Sequence, residues 1–264
     1  MAIPQLSATQ TRRRRAAVVI PTYDEKENIV PLVSEVLAQQ EQAPAFEIHA
    51  VIADSGSKDG TAELVRELMT RDPQVHLLEI PERGIGLGLY NGFNYAIQSL
   101  AADVLVEMDA DFQHNPADIP RLLERIAEGY DLVIGSRFVE GSVNNMPWYR
   151  RILSAGANQL IRTMLGLHTV KEITTSYRAF TTELFLRVKP DAVPWREKSF
   201  IAVPVFLVRM IECGAKATEI PMTMHPRTLG YSKMNYGQYI RDILVFTLRT
   251  RYAGRQEPRG NTQT

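Results

Sequence analysis

Two aspartates stand directly after a short apolar run that predicts a buried strand. Because Asp109 and Asp111 alternate at the strand end, both carboxylates can reach one divalent ion, and Gln113 adds a third oxygen two positions later. Oxygen ligands suit Mg²⁺ or Mn²⁺, which complete their coordination with water and substrate phosphates. The alternative is that the carboxylates cap the helix that begins near Pro116, but Asn115 already supplies that cap. We therefore predict a Mg²⁺ or Mn²⁺ site at Asp109, Asp111 and Gln113.

A glycine-rich segment, residues 83–88, precedes a helical pattern and is similar in composition to a phosphate-binding turn. The segment lacks the Lys followed by Ser or Thr of a Walker loop, and it does not follow the first strand as a dinucleotide fingerprint does. Glycines that let a helix approach its neighbours closely explain the segment equally well. Both interpretations stay open.

The elements that position these residues alternate between strand-like apolar runs and amphipathic stretches of helical length. The predicted strands of the first half are residues 16–20, 46–53, 75–80, 104–108 and 132–135, and the helices are residues 25–38, 61–70, 87–100 and 116–128. The second half has predicted helices at 148–165 and 236–249 and predicted strands at 177–180 and 216–220. The alternation predicts an α/β fold, a mostly parallel sheet covered by helices.

Polar segments follow three of the predicted strands. They are residues 21–25, 54–60 and 109–114. Because ligands of open α/β sheets bind outside the carboxyl ends of the strands, these segments predict one binding site at that edge of the sheet.

The composition bounds the class of protein. The chain has 264 residues, 45% hydrophobic and 23% charged, which is typical of a globular domain and excludes disordered and fibrous classes. The single Cys213 excludes an internal disulfide framework and a multi-cysteine metal site. No apolar run reaches the ~18 residues that a membrane-spanning helix needs, and the first residues do not resemble a secretory signal.

Charge is distributed unevenly along a chain whose 30 basic and 30 acidic residues cancel. Residues 1–15 hold four Arg and no acid, and residues 241–264 hold five Arg and two acids, which leaves 21 basic and 28 acidic residues between them. Clustered Arg can contact anionic lipid or nucleic acid, whereas solvated tails are the alternative. We expect a basic tail at 1–15, one domain at 16–235, and an amphipathic helix with a polar tail at 236–264.

Seven ordered segments resemble the inverting glycosyltransferases of family 2, which have the GT-A fold. The segments are residues 21–25, 54–61, 86–96, 109–111, 135–137, 174–178 and 227–233. Within that family the chain is most similar to the dolichyl-phosphate (polyprenyl-phosphate) mannosyltransferases, whose motifs residues 174–178 and 227–233 match. The resemblance spans roughly residues 16–235 and implies a Rossmann-like, mostly parallel sheet with helices on both faces and amphipathic helices toward the C-terminus.

The resemblance implies transfer of a sugar, foremost mannose from GDP-mannose, to a polyprenyl or dolichyl phosphate with inversion. A metal would stabilise the departing nucleoside diphosphate, and the acceptor phosphate is already ionised near neutral pH, so that no general base is required. The alternatives are a UDP-sugar donor, a soluble acceptor, or a non-catalytic protein that binds nucleotide sugars.

Roles for individual residues follow from the same resemblance. The catalytic set implied is Asp109, Asp111, Arg137 and Arg227. The donor-binding set is Pro21, Tyr23, Glu25, Asp54, Gly88, Ala110 and Lys233. The acceptor-phosphate set is Arg137, Arg150, Ser154 and Ser232, and for each Arg the alternative is a surface ion pair.

Four residues depart from the family's usual ones. Asp24 stands in place of Asn, Ser55 and Glu172 each in place of Asp, and Ser176 in place of Gly. The implied metal ligands and cationic residues are retained, so these departures bear on which base and sugar are recognised.

A lipid acceptor implies a membrane surface. We expect the helices at 148–165 and 236–251 to lie on it, with Arg151, Arg162, Arg241, Arg249 and Arg251 facing anionic head groups. The alternative is that their apolar faces pack on the core. The expected location is the cytoplasm, peripheral on the cytoplasmic face of a membrane, with a separate membrane-spanning protein as the other tether and no nucleic-acid partner.

Overall fold

The computed structural model describes residues 12–197, 199–227 and 235–253. Within these residues the strands are β1 (Arg14–Thr22), β2 (Phe46–Asp54), β3 (Val75–Glu79), β4 (Val104–Glu107), β5 (Leu132–Ser136), β6 (Val143–Asn144), β7 (Arg178–Thr181), β8 (Ala217–Pro221) and β9 (Thr223–Met224). The helices are α1 (Lys26–Ala38), α2 (Thr61–Arg71), α3 (Ile85–Leu100), α4 (Ile119–Ala127), α5 (Trp148–Leu165), α6 (Thr182–Arg187), α7 (Ala202–Glu212) and α8 (Tyr236–Ala253).

A seven-stranded sheet carries the fold, in the order β3-β2-β1-β4-β7-β5-β8. Every neighbouring pair is parallel except those of β7, which runs antiparallel between β4 and β5. The mostly parallel sheet predicted from the alternation is confirmed. The sequence pattern did not predict the reversed strand in its middle.

Helices cover both faces of the sheet because successive strand residues point to opposite sides. In β1, Val18 belongs to the apolar cluster under α1 and α4, whereas Val19 belongs to the cluster under α3 and α7. On the second face, the rings of Phe93 and Phe206 lie 5.9 Å apart between centroids. The two-sided arrangement that the resemblance implied is confirmed.

The start of α4 agrees with the capping residue that the sequence predicts. The side chain of Asn115 accepts a hydrogen bond from the Ala117 amide at 3.1 Å, and Pro116 opens the short 3-10 turn that leads into α4. Helix α5 has the predicted bounds, and α8 extends to Ala253, beyond the predicted residue 249.

The structure corrects the sequence analysis at three places. Strand β1 begins at Arg14, so the end of the predicted tail belongs to the sheet, where the Arg15 amide donates to the Asp103 carboxylate at 2.7 Å. The apolar residues after Phe200 form helix α7, which was not predicted because it is buried on nearly every side and has no amphipathic period. The short helix α6 was also missed.

Helices α5 and α8 pack against each other beside the carboxyl-end edge of the sheet. Ile161 of α5 and Ile243 of α8 belong to the core, whereas Trp148, Ile152 and Leu248 are exposed. Among the described helices, none combines the length and apolarity needed to cross a bilayer.

Candidate active site

A cavity of about 900 Å³ opens at the carboxyl ends of β1 and β4 and extends between α5 and α8. The parallel pairing of β1 with β4 brings the residues that follow these two strands to one edge. Most of the predicted site residues line this cavity, namely Pro21, Tyr23, Glu25, Asp109, Ala110, Asp111, Gln113, Arg137, Arg150, Ser154 and Arg227.

The two aspartates are held by a tight loop after β4. The backbone amide of Gln113 donates to Asp111 Oδ1 at 3.1 Å. Phe112 takes a left-handed φ of 60°, which lets the chain turn there. The backbone oxygen of Gln113 accepts from the His225 amide at 3.1 Å, which ties the loop to the segment after β9. The loop thus holds both carboxylates at one wall of the cavity.

Desolvation disfavours the charged forms of the two carboxylates. Burial raises the pKa of Asp109. The hydrogen bond that the Ser176 hydroxyl donates to this carboxylate favours the charged form and offsets part of that rise. Burial, and then the charge of Asp109, raises the pKa of Asp111 to about 6. A bound cation relieves this repulsion, so the donor set fits a divalent metal.

The protein ligands for such a metal are few. Within residues 12–197, 199–227 and 235–253, no three His, Cys, Asp or Glu side chains come together as a metal site. Asp109, Asp111 and an oxygen of Gln113 would hold such a cation, and water or substrate oxygens would complete its shell, as is common for Mg²⁺ and Mn²⁺. In the Gln113 side chain, Nε2 lies 3.2 Å from Met146 Sδ, so Oε1 is on the other side of the side-chain amide group.

Arg227 joins the first and fourth strand ends. Its guanidinium forms an ion pair with Glu25, and its Nε lies 3.7 Å from Asp111 Oδ2. Glu25 also accepts a hydrogen bond from the Asn28 side chain at 2.8 Å. A cationic side chain therefore stands next to the carboxylate pair.

On the side of β1 and β2, an aromatic ring and a guanidinium line the cavity. The guanidinium carbon of Arg83 lies 3.9 Å from the centre of the Tyr23 ring. This stacked arrangement gives the cavity wall a flat cationic surface. Arg83 was not among the predicted site residues, because its glycine-rich segment fitted helix packing equally well.

Two of the predicted donor-binding residues, Asp54 and Gly88, do not line the cavity. The Asp54 carboxylate accepts from the amides of Gly56 and Ser57 at 3.1 and 2.9 Å and does not line the cavity, whereas its neighbour Ser55 does. Gly88 lies within α3 on the side that faces β1, where an added Cβ would stand 3.1 Å from Pro21 Cβ. For Gly88 the close-packing interpretation is therefore the one that the structure bears out.

The predicted acceptor-phosphate residues meet at the α5 side of the cavity. Arg137 donates from Nε and Nη2 to Glu172 at 2.7 and 2.9 Å. Ser154 Oγ lies 3.2 Å from Thr174 Oγ1, which itself accepts from Arg137 Nη2 at 2.8 Å. Arg150 lies on the same wall, four residues before Ser154. Ser232 and Lys233 lie outside the described residues.

His114 and Glu172 were missed as site residues. His114 was not among the predicted site residues; it is buried, and its ring stacks on Tyr177 with 4.8 Å between centroids. Glu172 was noted only for differing from the usual Asp, yet it is fully buried against Arg137. Neither residue carries a local signal of burial, since their partners come from distant parts of the chain.

Comparison with known proteins identifies the family to which this architecture belongs. The glycosyl transferase family 2 model matches residues 17–188. The polyprenol monophosphomannose synthase of Mycolicibacterium smegmatis is 38% identical over 240 residues, 90% of this chain and 87% of the relative. The undecaprenyl-phosphate mannosyltransferase of Micrococcus luteus is 35% identical over 245 residues, 92% of this chain and 96% of the relative.

Solved structures share the fold at lower identity. Glucosyl-3-phosphoglycerate synthase from Mycobacterium tuberculosis aligns with a TM-score of 0.64 at 18% identity, covering 90% of this chain and 78% of that one. A mannosyltransferase from Pyrobaculum calidifontis, solved with GDP-Man and Mn²⁺, aligns with a TM-score of 0.55 at 20% identity, covering 94% and 66%. With the family model matched over most of the sheet and close relatives along nearly the whole chain, this protein belongs to glycosyl transferase family 2.

Proposed function

We propose that this protein transfers mannose from GDP-mannose to a polyprenyl phosphate, with inversion at the sugar carbon and with the help of Mg²⁺ or Mn²⁺. One observation carries the proposal: a single cavity is lined by the carboxylates of Asp109, which is partly buried, and Asp111, which is buried, by cationic side chains and by exposed apolar side chains. A nucleotide diphosphate with its metal, an acceptor phosphate and an isoprenoid chain need these three environments, respectively. The names of two relatives, a polyprenol monophosphomannose synthase and an undecaprenyl-phosphate mannosyltransferase, support mannose as the transferred sugar and a polyprenyl phosphate as the acceptor.

Asp109, Asp111 and Gln113 would hold the metal, whose positive charge would offset the negative charge of the departing nucleoside diphosphate. Arg227, 3.7 Å from Asp111, adds positive charge on the same side of the cavity. Pro21, Tyr23, Glu25 and Ala110 line the part of the cavity next to these residues and are the proposed donor contacts. Arg83, stacked on Tyr23, joins them as a candidate contact for the base or the diphosphate.

The acceptor needs positioning rather than activation. The second pKa of a phosphate monoester is about 6, so its oxygen is already charged at neutral pH and attacks without a general base. Arg137, Arg150 and Ser154 would orient that phosphate at the α5 side of the cavity. The new bond to the sugar carbon forms as the bond to the diphosphate breaks on the opposite face, which inverts the carbon. Ser232 and Lys233, which lie outside the described residues, remain proposed contacts of the substrate phosphates.

The apolar end of the cavity suits the lipid. Ile152 and Leu153 of α5 and Ile240 and Leu244 of α8 line it and are also exposed, so an isoprenoid chain bound there can leave toward a membrane. We propose that α5 and α8 lie on the cytoplasmic face of that membrane, with their basic residues toward anionic head groups. A membrane-spanning partner protein is the alternative tether.

Turnover with defined substrates tests the proposed reaction. The protein is incubated with Mn²⁺, a short polyprenyl phosphate and each of GDP-mannose, GDP-glucose, UDP-glucose and UDP-galactose, and the anionic glycolipid is measured. We expect product with GDP-mannose and a loss of about 1000-fold or more in Asp111→Ala, because the metal neutralises most of the leaving-group charge. Preference for a UDP sugar would refute the proposed donor, and the absence of glycolipid with every donor would refute the proposed lipid acceptor.

Liposome sedimentation tests the membrane surface. Trp148 and Leu248 are 72% and 44% exposed on α5 and α8, and Leu186, 65% exposed on α6, is a matched control away from both helices. Trp148→Glu and Leu248→Glu should weaken sedimentation with anionic vesicles, and Leu186→Glu should leave it unchanged. Equal loss in all three variants, or no sedimentation of the wild type, would contradict the proposed surface.

A further inference from the structure

A buried carboxylate holds one edge of the Arg137 guanidinium. Glu172 is fully buried and accepts hydrogen bonds from Arg137 Nε at 2.7 Å and from Nη2 at 2.9 Å. Burial alone would raise the pKa of Glu172, but the guanidinium charge and its hydrogen bonds hold that pKa below its usual value. The pair is therefore charged on both sides, with the two parallel hydrogen bonds that suit Arg and a carboxylate.

Three other parts of the fold hold Glu172, one through its backbone amide and two through its carboxylate. The Glu172 amide donates to Glu219 of β8 at 2.8 Å, and the Asn158 side chain of α5 lies 3.3 Å from Glu172 Oε1. The Thr174 amide donates to the same oxygen at 3.0 Å. A group held from a strand, a helix and its own loop has little freedom to turn, so it fixes the plane of the guanidinium that it binds.

The paired hydrogen bonds between Glu172 and Arg137, called the clamp below, leave one nitrogen of Arg137 for the cavity. Nε and Nη2 are used by Glu172 and Thr174, and Nη1 has no hydrogen-bond partner among the residues that the structure describes. Arg137 lines the cavity beside Ser154, whose hydroxyl lies 3.2 Å from Thr174 Oγ1. The clamp is thus built on the acceptor wall, while Asp109 and Asp111 stand after a different strand.

We propose that Glu172 is a positioning residue for the acceptor phosphate: it orients Arg137 so that Nη1 and the Ser154 hydroxyl meet that phosphate together. This inference rests on the proposed function, because it assumes an acceptor that carries a phosphate group. A guanidinium that is already oriented loses little rotamer freedom on binding, so the clamp strengthens acceptor binding and leaves donor binding unchanged.

Steady-state kinetics with separate variation of the two substrates tests the proposal. In Glu172→Gln we expect the KM for a short polyprenyl phosphate to rise roughly 10- to 100-fold, the size of losing one charge-assisted hydrogen bond, with the KM for GDP-mannose within about twofold of the wild type. Glu172→Asp keeps the charge one methylene shorter and should recover most of the loss. Ile161→Val, in the core of α5 and away from the clamp, is the control for a general loss of stability.

A double-mutant cycle separates positioning from an independent effect. In an Arg137→Lys background, Glu172→Gln should raise the acceptor KM by less than about threefold, because Lys cannot use the clamp. An equal effect in both backgrounds, equal rises in both KM values, or an unchanged acceptor KM in folded Glu172→Gln would overturn the proposal.

A binding measurement keeps this inference distinct from the reaction. Calorimetric titration of farnesyl phosphate into the protein without donor should give a Kd that rises by the same factor in Glu172→Gln. Wild-type protein that binds farnesyl phosphate but transfers no mannose would refute the proposed function alone. Loss of turnover in Glu172→Gln with an unchanged Kd for farnesyl phosphate would refute the positioning role alone.

Discussion

The imidazole of His114 turns back on its own loop, where Nδ1 lies 3.1 Å from the amide nitrogen of Asp109 and accepts its hydrogen bond. Burial lowers the pKa of His114 to about 4, so the ring is neutral at physiological pH. Its stacking on Tyr177, whose hydroxyl donates to the Asn115 backbone oxygen at 2.6 Å, fixes the plane of the ring. His114 thus closes the loop that carries both aspartates.

Replacing His114 should loosen the carboxylate pair. In His114→Ala the buried Asp109 amide loses its acceptor, which costs about 1–3 kcal/mol of unfolding free energy. Displacement of the loop should lower kcat by roughly 100-fold and raise the Mn²⁺ concentration needed for half-maximal transfer. The measurement is a Mn²⁺ titration of the transfer rate. Tyr177→Phe keeps the stacked ring and should change the Mn²⁺ requirement less; an unaltered requirement in His114→Ala would contradict this role.

Removing the charge of Asp111, which lies beside that of Asp109, should stabilise the metal-free protein. The pKa of Asp111 is about 6 in the folded state, above the value of about 3.9 in an unfolded chain. The folded state therefore binds the proton more tightly, so the charged form costs stability above pH 6, and the cost fades as the pH falls toward 4. We expect Asp111→Asn to raise the unfolding free energy by roughly 1–3 kcal/mol at pH 7.5 without divalent ions, and by much less at pH 4.5.

Urea unfolding at the two pH values, with and without Mn²⁺, measures this effect. Mn²⁺ should stabilise the wild type and leave Asp111→Asn nearly unchanged, because a ligand that binds only the folded state stabilises it by mass action. A variant that is less stable than the wild type at pH 7.5 in EDTA would argue against mutual repulsion of the pair.

A histidine pair at the β2 and β3 side should make stability fall in mild acid. His76 Nε2 lies 3.1 Å from His49 Nδ1, and burial together with His49 lowers the pKa of His76 to about 4. The groups around the pair are Glu47 at 3.5 Å from His49, Arg15, Asp72 and the Tyr95 hydroxyl at 3.4 Å from His76. The unfolded chain, with a His pKa of about 6.5, binds the proton more tightly, so unfolding becomes easier as the pH falls from about 6.5 toward 4.

We expect the His76 contribution to this loss to be about 1–2 kcal/mol, since the ring is half-exposed and solvent screens part of the shift. His76→Gln should flatten the dependence of the unfolding free energy between pH 7.5 and pH 5, and replacement of the exposed His168 by Gln is the matched control. Parallel curves for wild type and His76→Gln would count against the pair as the source.

Two helical glycines should respond oppositely to alanine. A Cβ on Gly92 of α3 would overlap Cγ1 of Val19 in β1, whereas a Cβ on Gly156 of α5 has no atom within 4 Å. Gly92→Ala should therefore lose about 1–3 kcal/mol of unfolding free energy through overpacking. Gly156→Ala should gain about 0.5–1 kcal/mol from helix propensity. Thermal unfolding of both variants provides the comparison, and a Gly92→Ala variant as stable as the wild type would contradict the close contact of α3 with β1.

Local patterns were enough to predict the elements that frame the site. Alternating apolar and amphipathic stretches depend on neighbours within a few residues, so they predicted the parallel strands, the cap at Asn115 and the bounds of α5. The polar segments after the strands then predicted where Asp109 and Asp111 would lie, because parallel strands bring their carboxyl ends to one edge.

Contacts between distant residues decided the rest. The reversed strand β7 pairs Arg178 with Glu107 in a fully buried ion pair at 2.6 Å, 71 residues apart in the chain, directly beneath the loop of Asp109. Glu172 meets Arg137 across 35 residues. No period or short motif encodes which strand lies beside which, or which acid is buried against which base. The sequence by itself determined the residue types and the strand ends that carry them, and only tertiary packing, by burying particular charges together, decided how those residues are oriented.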